Sequence, residues 1–402
     1  MIDDVYIQDL LDSLREEEDF DDDKSDYTLG YKNGREDIVK VIEKFIKDLP
    51  EDGRCNTNHN EIILMQERIQ SMNVFENFTE AYQSLMRDVY ENPEYECAPR
   101  GSKIKESLCT QFRITNPLDR IPYVNAREFS VSYMIAELVW YLFGDNSTEW
   151  ISRYSAFWSK ISDDGYSANS AYGSRIFRPH KYSTDGLGWT QWDYILNELA
   201  SDNDSRRAVI HIRSPYDSIH AKLDVPCTLT LQFFIRDDKL NLAVNMRSSD
   251  LILGLAYDVP AFTMFQETMA QSLSTKLGRH IGMGDYIHTS NSLHIYEKHF
   301  DMAERIISEN VTLPPDHIMP SLPDTNGVPL VRMVEGSITS CEVASEIEGV
   351  INSSPLREEI ESYWLDWMYV LGSHRARKLG DDHEARRLLE QCEFSGYKFF
   401  NK

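Results

Sequence analysis

A lone cysteine, Cys227, heads the apolar run Leu229–Ile235, and Arg247, Ser248 and Asp250 close a second run, Leu240–Met246. The polar stretch Arg236–Lys239 between them makes the pair read as a β-hairpin. Strand ends beside polar loops are where a rigid scaffold presents reactive groups to a ligand. One thiol, one anion-binding guanidinium and the carboxylates Asp250 and Asp258 at such ends suit a covalent nucleophile acting on a phosphorylated substrate.

Composition narrows the partners. The chain has 402 residues and a formal charge of −25, so a nucleic-acid polymer, whose phosphates need a basic surface, is a poor partner. A small anionic nucleotide needs only a local arginine cluster. No apolar run is long enough to span a bilayer, and the acidic start M-I-D-D-V-Y has no apolar leader core. The 6 cysteines are scattered without a CxxC pair, which points to reduced thiols in a cytoplasm and to no zinc or other metal site.

Elements that would position the reactive residues follow from periodicity. The acidic run Glu16–Asp23 reads as a solvated tail. Residues 34–49 and 60–91 have helical spacing, with Phe78, Tyr82, Leu85, Met86 and Val89 on one face and a stop at Asn92-Pro93. Phe129 to Leu142 reads as a buried helix ended by Gly144, with Glu137 inside its apolar run. That carboxylate is either satisfied by a structural partner or carries a raised pKa and manages protons. Pro260 to Gly278 reads as an amphipathic helix packed on the sheet. His294 and Tyr296, two apart in an extended segment, share a side. Prolines beyond Asn310 mark a linker. Two helices follow, Leu356–Leu371 with Gly372 beyond its end and Asp382–Cys392. The expected division is 1–76 as an N-terminal extension, 77–320 as the catalytic domain and 321–402 as a helical C-terminal extension.

Pro226-Cys227 followed by Gln232, then R-S-S-D-L-x-L-G-L-x-Y-D, resembles the thymidylate synthase superfamily. Ala136–Asp145, Asp204–Arg207 and Gly284–Tyr296 resemble its other signatures, in the family's order. The resemblance implies an α+β fold with a large mixed sheet that forms the dimer interface. It implies thiolate addition of Cys227 to C6 of a pyrimidine nucleotide, so that C5 takes a one-carbon unit from 5,10-methylenetetrahydrofolate. Glu137, Asp258 and Tyr172 would share the catalytic work with Cys227. Arg100, Arg247, Ser248, Gln232, His294 and Tyr296 would hold the nucleotide, with Lys103 a rival to Arg100 in a loop that departs from the family's. Arg206 and Arg207 would reach across a homodimer to the partner's phosphate, although an arginine pair before a strand is otherwise a solvated one. Asp250, Gly254 and Trp158 would line the folate site; Trp158 and Tyr172 could equally be core aromatics. Arg247 would favour the thiolate.

Two departures refine the expectation. Asp258 stands where thymidylate synthases have asparagine, as in phage-type deoxycytidylate hydroxymethylases. A carboxylate accepts from N4 of cytosine, its acid form donates to N3, and O4 of uracil would face a carboxylate oxygen. The family's apolar C-terminal tail is not recognisable in Gly396–Lys402, which suggests a wetter site and capture of water, giving 5-hydroxymethyl-dCMP from dCMP. The alternatives are a dUMP enzyme, making hydroxymethyl-dUMP or dTMP, and a catalytically silent binding scaffold.

Overall fold

The computed structural model describes residues 73–179, 188–220, 223–323, 325–353 and 360–400. The acidic run Glu16–Asp23, the helix at 34–49, residues 60–72 of the helix expected at 60–91 and residues 356–359 of the helix expected at Leu356–Leu371 lie outside the described residues. Two units divide the chain, Met1–Glu76 and Asn77–Lys402, and the elements that follow belong to the second.

Its sheet contains β1 (Tyr95–Cys97), β2 (Ile104–Ile114), β3 (Val209–His211), β4 (Thr228–Arg236), β5 (Lys239–Met246), β6 (Ser249–Asp250) and β7 (Gly282–Tyr296). The order is β2-β7-β5-β4-β3, with β1 paired to β2 and β6 to β7. β7 runs parallel to β5 and β6, and the other pairs are antiparallel. The helices that matter here are α1 (Phe78–Glu91), α2 (Val131–Leu142), α3 (Gln191–Ser201), α4 (Leu255–Leu277), α5 (Gly327–Ser340), α6 (Ser362–Lys378) and α7 (Asp382–Glu390).

β4 and β5 form the expected hairpin. Asp237 and Asp238 turn it at φ 50° and 56°, the doubly left-handed turn whose twist matches that of the strands. Leu231, Phe233 and Ile235 of β4 and Leu240, Leu242 and Val244 of β5 are buried. α4 backs this face, and its Gln266 Nε2 donates to Leu240 O (2.8 Å) and Gly284 O (3.0 Å), satisfying the amide hydrogens inside the core.

α4 begins at Leu255, five residues before the expected start at Pro260. A proline removes the bond its own N–H would make and crowds the carbonyl four residues back; at the sixth helical position that carbonyl belongs to Ala256, and the helix nevertheless starts at Leu255. Asp258 therefore sits in that first turn rather than in a loop. α1 starts at Phe78, where Asn77 caps Glu80 N at 2.9 Å, and not at 60 as expected, since residues 73–77 are not helical; it buries the face expected of it. α2 runs from Val131, capped by Ser130, to Leu142; Gly144 takes φ +67° just beyond.

Residues 77–402 make one compact unit, and α6 packs against α2 within it. α6 continues past Gly372 to Lys378, correcting the expected end. Gly372 is there for space: a Cβ would stand 2.9 Å from Ile347 Cγ2. The last described segment, Ser395–Phe400, returns to the centre, where Phe400 lies 5.8 Å from Tyr123 and 5.3 Å from Phe129 between ring centres.

Candidate active site

Cys227 enters β4 half-buried, and the ladder bond from Arg247 N to its carbonyl (2.8 Å) fixes the end of β5 beside it. The Arg247 guanidinium ties that entry down, with Nε on Pro226 O and Nη2 on Val225 O, both at 2.9 Å. Nη2 also stands 3.4 Å from Cys227 Sγ. The sequence led us to expect a thiolate-favouring site, and here the structure differs. Burial pushes the thiol up by more than Arg247 pulls it down; Asp258 and Asp224 add to the rise, and Arg100 only partly offsets it. Taking charge out of water outweighs a guanidinium already shared among carbonyls. The thiol is protonated at rest.

Arg100 and Lys103 are separated by the same geometry. Arg100 sits in the turn Pro99–Gly101 at φ 53°, exposed, and its charge is felt at Cys227. Lys103 Nζ is paired with Glu297 Oε1 at 3.0 Å on the surface.

Glu137 has the structural partners that one reading of its sequence offered. Its Oε1 accepts from Tyr133 Oη (2.6 Å) and Tyr141 Oη (3.3 Å), one helical turn to either side on α2. Burial nevertheless raises its pKa to about 7, against the lowering effect of those two bonds. Trp158 is buried, 5.0 Å from Trp140 between ring centres, and its indole N–H is spent on Tyr133 Oη at 3.0 Å. It thus steadies the Glu137 cluster. The Tyr133/Tyr141 pair was missed from the sequence, although the spacing at four residues on each side of Glu137 was there to read.

Asp258 sits beneath Tyr172, whose hydroxyl lies 3.5 Å from its Oδ1. Tyr172 is itself buried, stacked on Tyr141 (5.2 Å) and Phe262 (5.5 Å). Burial raises the Asp258 carboxyl well above the ordinary range, Glu137 raises it further, and Tyr172 only partly opposes them. A neutral carboxyl carries its hydrogen on either oxygen. It meets cytosine by accepting from N4–H and donating to N3, and it meets uracil by accepting from N3–H and donating to O4. Refusal of uracil holds for a carboxylate, not for this acid.

Asp250 and His294 are directly paired across β6 and β7. Asp250 Oδ1 accepts from Ile252 N (2.8 Å) and Leu253 N (3.2 Å), while its Oδ2 is buried with no hydrogen-bond partner. An orphaned carboxylate oxygen asks for a ligand donor, and the amino and ring N–H groups of a pterin would supply one. Gly254 keeps the approach open, since a Cβ there would stand 3.2 Å from Asp250 O and 3.3 Å from Asp258 Oδ2. The residues present fit a folate. Ser248 is half-buried between β5 and β6, and the His294 and Tyr296 rings meet edge to face at 5.1 Å on one side of β7.

Three expected site residues lie apart from this cluster. Gln232 Nε2 donates to Arg206 O at 2.8 Å, five residues along β4 from Cys227, or about 17 Å at strand rise. Arg207 Nε is held by Glu198 Oε1 at 2.8 Å, and Arg206 is exposed beside it. All three stand by the edge strand β3.

The sequence model of the family described as thymidylate synthase matches residues 80–326. The chain belongs to the thymidylate synthase family. It is similar to the deoxyuridylate hydroxymethyltransferase of Bacillus phage SP01, 30% identical over 224 residues, which is 54% of this chain and 57% of that protein. The chain thus spans just over half the length of the curated relative it matches. Members of the family act on pyrimidine nucleotides as dimers with methylenetetrahydrofolate as the one-carbon donor, and the mixed sheet backed by helices is the fold expected of one. No group of His, Cys, Asp and Glu able to hold a metal occurs among the described residues. Among them, too, no helix is long and apolar enough to cross a membrane.

Proposed function

We propose that this chain hydroxymethylates C5 of deoxycytidine monophosphate, with methylenetetrahydrofolate as co-substrate and Cys227 as the nucleophile. The choice of base is carried by the place of Asp258 in the first turn of α4, 3.5 Å from the Tyr172 hydroxyl, where burial and Glu137 favour the acid form of its carboxyl. When sulfur adds to C6 of cytosine, N3 gains electron density and must take a proton, and an acid placed at that edge can give one. Uracil already carries hydrogen at N3, and the amide found in thymidylate synthases suffices for it. Asp258 Oδ–H donates to N3 and its other oxygen accepts from N4. The thiol gives its proton to solvent, the thiolate, stabilised by Arg247 at 3.4 Å, adds to C6, and the C5–C6 π electrons move through C4 to N3, where the Asp258 proton is taken up. Glu137, raised to about 7 by burial, moves protons at the ring through the hydroxyls it holds.

Arg100, Arg247 and Ser248 hold the phosphate in this reading, and His294 with Tyr296 takes the sugar hydroxyl. Arg206 and Arg207, at the edge of the sheet, serve the partner's nucleotide in a homodimer. When bound, the folate supplies a one-carbon unit at the oxidation level of formaldehyde, and Asp250 Oδ2 beside Gly254 would hold its pterin edge. Water rather than hydride completes the product, a choice supported by the phage relative's name. The wet-site reasoning drawn from a missing tail no longer contributes, because Phe400 packs on Phe129, which in turn stacks on Tyr257 at 4.8 Å.

A second reading, deoxyuridine monophosphate as substrate, is favoured by that relative and by the ability of a neutral acid to meet uracil. The test is release of tritium from C5 of each nucleotide with the folate present, followed by product mass. Release from the cytosine nucleotide with a gain of CH2O supports the proposal. Preferential release from the uracil nucleotide replaces it with the second reading, and a gain of CH2 replaces hydroxymethylation with methylation.

A further inference from the structure

The helix that carries Glu137 is gripped at its start by residues from beyond the family match, which ends at residue 326. One grip is made by the segment Ser395–Phe400 and the other by α6.

The first is a run of rings in contact. Phe400 lies 5.3 Å from Phe129, the residue before the Ser130 cap of α2. Phe129 stacks on Tyr257 at 4.8 Å, and Tyr133 meets Tyr257 edge to face at 4.7 Å. Tyr257 Oη accepts from Ser130 N at 3.1 Å, which ties it to the cap. Contact is therefore unbroken from Phe400 to the phenol that donates to Glu137 at 2.6 Å. Tyr257 also precedes Asp258 in the first turn of α4. Phe400 is itself held in place. Tyr123 lies parallel to it at 5.8 Å. Asp366 of α6 accepts from Glu393 N and Phe394 N, one on each oxygen and both at 2.8 Å. Trp367 donates its indole N–H to Tyr397 Oη at 3.1 Å.

The second grip is polar. His374 of α6 has Nε2 3.3 Å from Arg153 O and Nδ1 3.3 Å from Ser132 Oγ. Burial lowers its pKa to about 4, so the ring is neutral and carries one hydrogen. A carbonyl can only accept, which puts that hydrogen on Nε2 and leaves Nδ1 to accept from Ser132 O–H. Ser132 Oγ then accepts from Ser130 O–H at 3.2 Å, and Ser130 Oγ accepts from Tyr133 N at 3.2 Å. Both grips end on Tyr133, one on its ring and one on its backbone N–H.

We propose that Phe400 and His374 are positioning residues that hold Tyr133 against Glu137 and keep water from the carboxyl, so that the C-terminal part of the chain braces the proton-moving group of the site. Turnover reports on this brace only if Glu137 moves protons as read above; the carboxyl itself can be followed without that reading.

The infrared difference between each protein and its Glu137→Gln counterpart follows the carboxyl directly. Phe400→Ala and His374→Ala should each lower the pH at which it titrates by about one unit, as water reaching the cluster relieves part of its burial. Both should lower kcat about 10-fold while KM for the nucleotide changes by less than about 2-fold, because the loss is one of geometry at the proton and not of binding. Phe400→Leu keeps an apolar side chain against Phe129; it is expected to lie between alanine and wild type, and it serves where the alanine variant does not fold. A Glu137 titration unmoved in His374→Ala and in either Phe400 variant overturns the proposal, as does a loss confined to KM. A moved titration with kcat unchanged supports the brace and overturns the proton-moving role of Glu137 instead.

Discussion

Replacing Glu137 by glutamine should stabilise the folded protein above neutral pH while damaging its chemistry. Glu137 is 6% exposed, and its carboxyl is raised from the ordinary 4.5 to about 7 by burial. A folded state that holds a proton more tightly than the unfolded one loses stability as pH rises between those values. Below 4.5 both states are protonated and the group contributes nothing. Above 7 the folded state bears the full cost, on the order of 3 kcal/mol from about 2.5 units at about 1.4 kcal/mol each. Glutamine keeps an acceptor for Tyr133 and Tyr141 and removes the charge, but its amide hydrogens need partners that the tyrosine oxygens supply only in part. A net gain of about 1–2 kcal/mol at pH 8, fading to nothing or a small loss at pH 5, is the result expected. Urea denaturation of both proteins at the two pH values measures it, with tritium release from C5 followed in parallel. A variant less stable than wild type at pH 8 refutes the reasoning, because the two tyrosines would then be compensating the carboxylate rather than failing to.

Cys227→Ser should abolish tritium release and the covalent nucleotide adduct seen by mass spectrometry while leaving nucleotide binding within a few-fold; a wild type as silent as this variant would favour a binding scaffold. Asp258→Asn should shift the ratio of kcat/KM for the cytosine and uracil nucleotides toward uracil by a factor of about 10 or more, measured by competition, and an unchanged ratio would remove Asp258 from base recognition. Arg120, 1% exposed, donates to Glu267 Oε2 at 2.7 Å; Arg120→Ala should cost about 3–5 kcal/mol by leaving that carboxylate buried and unpaired, and a loss below about 1 kcal/mol in urea denaturation would show that water replaces the guanidinium.

How far the sequence carried depends on the range of each interaction. The β4–β5 hairpin was legible because its alternation and its turn are local, and the face and end of α1 because Asn92-Pro93 stops a clear apolar stripe, whereas its start at Asn77 was run over in the helix expected from 60. The start of α4 was hidden: Gly254 makes no side-chain cap, and Pro260 imitates a first-turn proline. The pairing of Asp250 with His294 joins residues far apart in the chain through a parallel contact, for which neither segment carries a signal. Phe400 near Phe129 left no periodicity to read at all.

The hardest part to foresee was a charge. Read by residue type, Arg247 makes Cys227 a thiolate and Asp258 is an anion that refuses uracil. Both conclusions assume a solvent that the fold removes. Arg247 spends its guanidinium on Val225 and Pro226 as well as on sulfur, and Asp258 shares its pocket with Glu137 and Asp250. Two carboxylates in one dry pocket cannot both stay ionised at little cost. Glu137, bonded to two hydroxyls, sits near neutrality, and Asp258, with one long contact to Tyr172, keeps its proton. In the proposed reaction, the proton that cytosine would take at N3 comes from the crowding of acids around that position, and the identity of residue 258 only supplies the group that carries it.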